Sequence, residues 1–163
     1  MNVREAIKLS YAMPDQICRA YLGDLKDSDL LVRPVPGANH IAWQLGHLIK
    51  SEQEMVEMVC PGSSPPLPAG FAEKHTKTTA TSDDPKAFLK KDEYLKLYDR
   101  VRAGTIKAID TVKETDFDKP APEKFREFVP TIASLFLMQP EHWLMHAGQW
   151  AVVRRKLGKP PLF

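Results

Sequence analysis

Two histidines four residues apart, His142 and His146, stand in the segment QPEHWLMHAGQW. On a helix, imidazoles at i and i+4 lie one above the other on one face and can reach a single ion. At 100° per residue from His146, Ile132, Leu135, Gln139, His142, Trp150, Val153 and Leu157 all fall within about 40° of it. The stripe is apolar at both ends and polar in its middle. Imidazoles on such a core-facing stripe are costly to bury unless something pairs with them, and a divalent metal would do so. The spacing alone leaves a second reading open, since hydrogen-bonded core histidines also produce it. Glu141 precedes His142 instead of following it, so the HExxH arrangement of metalloproteases is absent.

A third candidate ligand comes from the segment NHIAWQLGHLIKSEQE. There Trp43, His47, Ser51 and Glu54 share a face within about 40°, beside an apolar face of Ile41, Leu45, Leu48, Met55 and Val59. Gly46, just before His47, admits a close neighbour. Three histidines on two helices, with positions left open for water or substrate, would make a catalytic kind of metal site. His40 is two turns from His47, roughly 10 Å along a helix, and is expected at the helix mouth and not on the metal. Glu54 is likewise too far to be a ligand, and Ser51 is a pocket residue at most. His75 falls in a long loop and is expected in solvent, unless that loop folds over the site. Gln149 is a candidate partner for the second nitrogen of a ligating histidine.

Four helical segments carry these residues. The first runs from about Val3 to Leu25, bent by Pro14. The second runs from about Ala38, with Asn39 as its cap, to Cys60. A long stretch rich in Pro, Gly, Ser and Thr follows, Pro61 to about Asp84, and reads as a crossover. A third helix is expected from Asp84 and Pro85 to Lys113, then a connection with Pro120, Pro122 and Pro130. The last helix begins near Thr131 and stops at Leu157-Gly158-Lys159-Pro160-Pro161, cations then glycine then proline. No segment alternates as a strand would. The pattern is an all-α four-helix bundle with long crossover connections, one domain over residues 1–163.

At 163 residues the chain can bury a core of its own. Lys and Arg number 23 against 21 Asp and Glu, a balance that gives no reason to expect nucleic acid. The local excess at Arg154, Arg155, Lys156 and Lys159 suits a helix C-terminus, or else an anionic substrate or a dimer contact. Two cysteines, Cys18 and Cys60, have no CxxC spacing and read as reduced, buried thiols of a cytoplasmic protein. The N-terminus has no apolar signal-peptide region, and no stretch is long enough to span a membrane.

Together, NHIAWQLGHLIKSEQE and, about ninety residues on, HWLMHAGQWAVVRRKLGKPPLF resemble the DinB-like (DinB/YfiT) superfamily. The W-x-x-G-H surroundings of His47, the H-x-G-Q at His146 and the R-R-x-L-G-x-P ending carry the likeness, over essentially the whole chain. The resemblance implies a four-helix bundle, often dimeric, with one metal held by His47, His142 and His146. Pro140, a helix breaker just before His142, departs from the pattern and is expected to kink the helix or to mark a local reshaping of the site. The resemblance also implies thiol-dependent transferases and isomerases using low-molecular-weight thiols.

With three neutral imidazoles, a divalent ion such as Zn, Ni or Fe keeps its charge and can lower the pKa of a bound thiol or water. The first expectation is therefore a metal-dependent S-transferase acting on a small-molecule substrate with a thiol cofactor. A metal-dependent hydrolase helped by Glu54, Glu141 or Ser51, or a non-enzymatic metal-binding stress-response module, are the alternatives.

Overall fold

The computed structural model describes residues 1–163 and is all-helical. Its elements are α1 (Val3–Ser10), α2 (Ala12–Gly23), α3 (Ile41–Val59), a single turn α4 (Phe71–Lys74), α5 (Lys91–Thr111) and α6 (Ile132–Lys156), joined by short 3₁₀ turns. Helix α6 packs against α1, α2 and α3, and α3 packs against α5. The bridge Pro120–Thr131 is the sole β pairing. No helix is long and apolar enough to cross a membrane.

The first helical segment breaks at Tyr11 and not at Pro14. Pro14 stands in the first turn of α2, where its missing N–H needs no partner, so the break falls ahead of it. Helix α3 is capped by His40 rather than Asn39: His40 Nδ1 accepts from the Trp43 N–H at 3.1 Å. Asp84 does accept from Lys86 N, at 2.9 Å, but the helix it starts is only the 3₁₀ turn Pro85–Ala87. Helix α5 proper starts at Lys91, after the Glu93 carboxylate takes the Lys90 N–H at 2.9 Å. Thr131 caps α6 as its sequence implies, and Gly158 ends it with φ of 71°.

Pro140 does not stop α6, which is helical on both sides of it. A proline at 140 leaves the Phe136 carbonyl without its i+4 donor. The Tyr11 hydroxyl, buried, donates to that carbonyl at 2.6 Å. The break between α1 and α2 thus supplies the side chain that satisfies the proline-orphaned group of α6.

The main core gathers Cys18, Leu22, Leu45, Leu48, Tyr94, Tyr98, Trp143 and Trp150 from α2, α3, α5 and α6. A charged network lies within it. The Glu52 carboxylate, 1% exposed, accepts from Arg102 at 2.8 and 3.0 Å, from Thr105 at 2.7 Å and from the Trp143 indole at 2.8 Å. Asp15 pairs with the same guanidinium, and Arg102 lies over the Tyr11 and Tyr98 rings. Burial alone would raise the Glu52 pKa, but the Arg102 charge and these donors hold it below the usual carboxylate value. Every oxygen is satisfied, which is the condition for a buried ion pair to persist.

Candidate metal centre

Helix α6 holds His142 and His146 one turn apart, and α3 brings His47 to them. The ring centroids are 5.2 Å apart for His47–His142, 5.6 Å for His47–His146 and 5.0 Å for His142–His146. One ring nitrogen from each lies within 4.8 Å of the others. Tetrahedral zinc with bonds of about 2.0–2.1 Å holds its nitrogens about 3.4 Å apart, so small side-chain rotations close this triangle onto an ion. No fourth His, Cys, Asp or Glu joins the cluster. None of the surface cavities is lined by these histidines. His47 and His142 are half-buried while His146 is 7% exposed, so two of the three candidate ligands reach solvent.

The protonation of His146 follows from its neighbours. Gln44, fully buried, accepts from the Trp150 indole N–H at 2.8 Å, and an indole can only donate. The atom it meets is therefore the Gln44 carbonyl oxygen Oε1. That same oxygen lies 3.0 Å from His146 Nδ1, so Nδ1 carries the proton and Nε2 is left with a free lone pair for a metal. The Gln44 amide nitrogen donates to the Asn39 carbonyl at 2.6 Å and to Gln149 Oε1 at 3.1 Å. Four bonds lock the amide. Gln149, expected beside a ligand, instead supports Gln44, which the sequence reading missed. The signal was one buried amide in the otherwise apolar run Ile41-Ala42-Trp43-Gln44-Leu45.

Trp43 lies flat on His47, with centroids 5.1 Å apart and planes 6° from parallel. Its indole donates to the Thr76 carbonyl at 3.0 Å. The crossover is thereby tied to a metal-ligand candidate. His75 is part of the same attachment, and its expected exposure is wrong: it is 2% exposed. A Cβ on Gly46 would fall 2.0 Å from the His75 ring, so the glycine is the notch into which the crossover histidine fits. His75 Nδ1 donates to the Phe71 carbonyl at 2.7 Å, and Nε2 accepts from the Tyr94 hydroxyl at 2.8 Å. His40, its Nδ1 used for the cap, donates from Nε2 to the Ser82 carbonyl at 3.0 Å. Both stay off the metal cluster.

Burial pushes the His142 pKa down to about 4 and that of His146 to about 3, with the neighbouring imidazoles adding to the effect. His47 is lowered by burial, then by the Lys50 and Lys77 charges. All three imidazoles are neutral near pH 7, the form that binds metal. Of the helpers expected for water activation, Glu54 pairs with Lys124, Glu141 is exposed and Ser51 is half-buried on α3. Arg154 is not a solvated helix-end cation. It is 2% exposed, donates to the Tyr21 carbonyl at 3.0 Å and pairs with Asp24. Of the two free cysteines, Cys18 is buried, its thiol pushed up to about 12 by burial, while Cys60 is half-exposed and not buried as expected.

A family model described as the DinB superfamily matches residues 16–150. No curated protein matches the chain.

Proposed function

The chain belongs to the DinB superfamily, and on that footing we propose that it is a divalent-metal enzyme, a thiol-dependent S-transferase acting on a small molecule. The observation that carries this reading is the triangle of His47, His142 and His146, with ligand atoms within 4.8 Å and no fourth protein ligand. We read the helices as the four-helix bundle of this superfamily, α1 and α2 together forming its first member.

A zinc, nickel or iron ion in the triangle would supply positive charge that lowers the pKa of a bound thiol. The protein's own groups do the rest. Gln44 holds the Nδ1 proton of His146 and so presents Nε2. Trp43 covers one face of His47 and keeps water from it. Desolvation keeps all three imidazoles neutral without a proton having to leave on metal binding. The nucleophile would come from a cofactor, because Cys18 is buried with a raised pKa and Cys60 is outside the cluster. Free cysteines fit a cytoplasmic setting. The hydrolase alternative is less well served. Glu52 is committed to Arg102 and Glu54 to Lys124, so neither is free to act as a general base.

Elemental analysis of protein purified without a histidine tag tests the centre: about one metal per chain is expected, falling below about 0.2 in His142→Ala. Uptake unchanged by that substitution removes the reading. Titration of the cobalt-loaded protein with small thiols, followed by thiolate-to-metal absorbance, tests the transferase part.

A further inference from the structure

A cavity of about 450 Å³ opens where the 3₁₀ turn Asp27–Leu31, the first turn of α3 and the segment leading into α5 meet. That volume is within the range of small-molecule sites. Leu31, Ala42, Phe88 and Leu89 give it apolar walls, and none of the three clustered histidines lines it. The walls are held in place. Phe88 packs edge-on against His40, with ring centroids 4.6 Å apart and planes at 87°, and His40 is itself fixed by its bonds to Trp43 N–H and the Ser82 carbonyl. The Leu89 N–H donates to the Tyr94 hydroxyl at 3.4 Å. A cavity whose walls are already ordered needs little rearrangement to take a ligand.

One side of this cavity is charged. Asp27, Ser28 and Lys90 line it, and Asp27 and Lys90 also line an adjoining cleft with Lys26 and Asp92. These two residues therefore stand where the apolar cavity meets the charged cleft. Asp27 spends one carboxylate oxygen on the Lys91 N–H, at 2.8 Å, which fixes it there and leaves the other oxygen free. Neither Asp27 nor Lys90 enters an ion pair, with each other or with any other group. Two neighbouring charges are already engaged. The Lys91 ammonium donates to the Leu22, Gly23 and Leu25 carbonyls at 3.3, 3.2 and 2.6 Å, and the Glu93 carboxylate accepts the Lys90 N–H. Lys26 and Asp92 add one charge of each sign. A ligand of single charge would meet its own sign at this edge, whereas a zwitterion finds the opposite sign for each of its ends.

We propose that this cavity binds a free α-amino acid with a large apolar side chain. The side chain fills the space between Leu31, Ala42 and Phe88, where an aromatic ring can pack on the Phe88 ring. The carboxylate of the ligand faces Lys90, its ammonium faces Asp27, and the Ser28 hydroxyl offers a further polar contact. The site is separate from the three histidines and does not depend on a metal there.

The test titrates the protein with phenylalanine, with 3-phenylpropionate, which lacks the ammonium, and with phenethylamine, which lacks the carboxylate. Amide chemical shifts give both the affinity and the place of binding. Phenylalanine should shift Leu31, Ala42, Phe88 and Leu89 and bind about three- to fivefold more tightly than either analogue, the size of one partly exposed charge contact. Asp27→Asn, which keeps an acceptor for the Lys91 N–H, should abolish the advantage over 3-phenylpropionate and keep that over phenethylamine. Lys90→Gln should do the reverse, and thermal melts check that both variants fold. Equal affinities for the three compounds, or advantages that survive both substitutions, would overturn the proposal. So would tightest binding by 3-phenylpropionate, which would make the cavity a simple anion site. Shifts centred on His47, His142 and His146, or no shifts at all up to the solubility of phenylalanine, would overturn it too.

Discussion

Replacing Gln44 separates a metal site oriented by its surroundings from one made of three histidines alone. Gln44→Leu keeps the approximate volume but removes the oxygen that accepts from His146 Nδ1 and from the Trp150 indole. His146 is then free to rotate and to place its proton on either nitrogen. Losing such an outer partner costs about 10–100-fold in metal affinity, or about 1.4–2.7 kcal/mol. The metal-free fold suffers as well. Two buried donors without acceptors cost about 1–3 kcal/mol each, which a typical domain with roughly 5–15 kcal/mol survives at a lower melting temperature. Gln44→Glu discriminates. Its carboxylate can accept the same two donors and adds negative charge beside the imidazole, which raises ligand basicity. It should keep natural affinity or exceed it, despite losing the donors to Asn39 and Gln149. Zinc competition against a chelating dye gives the affinities, and melts of metal-free protein give the stabilities. Unchanged affinity in the leucine variant, or an equal loss in the glutamate variant, would refute the role assigned to Gln44.

Zinc affinity should change little between pH 8 and pH 6, because His142 and His146 have pKa values of about 4 and about 3 and His47 is lowered too. Three histidines at the ordinary value of 6.5 would instead weaken binding roughly 60-fold over that range, and competition titrations at both pH values decide. The same shifts make metal-free stability pH-dependent: it is complete only well above the ordinary histidine pKa of about 6.5, where unfolded histidines are also neutral. It declines as pH falls toward 4, where the unfolded chain binds protons that His75, His142 and His146 refuse; melts across that window should show the slope. Gly46→Ala should drive its methyl into the His75 ring, at a cost of about 1–3 kcal/mol, and expose residues 70–83 to limited proteolysis. Tyr11→Phe should cost about 1 kcal/mol or more by orphaning the Phe136 carbonyl; in a Pro140→Ala background, where an N–H returns at position 140, chemical denaturation should show that cost reduced.

The spacing of His142 and His146 was readable because a helix converts i, i+4 into a shared face with no help from the rest of the chain. Helix ends set by local chemistry, such as Thr131 and Gly158, were readable for the same reason. The burial of His75 was not, since it depends on a glycine 29 positions away in sequence providing a notch (75 minus 46). Gln44 was missed on similar grounds: its partners His146, Gln149 and Trp150 are all on α6, about a hundred residues on. At Pro140 local rules see only the lost N–H, and the hydroxyl that takes up the Phe136 carbonyl comes from Tyr11 at the other end of the chain. Arg154 looked like a solvated cation until Asp24 and the Tyr21 carbonyl were brought to it by the fold.

The parallel contact between Trp43 and His47 gives the protein an optical gauge of its own occupancy. Of three tryptophans, Trp43 alone lies flat on a candidate ligand ring, so copper or nickel arriving at that ring should dim its emission far more than zinc does. Because the same indole is bonded to Thr76, its emission would also register detachment of the crossover. Occupancy by a dark ion and loosening of the strap would then be followed in one cuvette, without label or tag, and told apart by the colour of the residual light.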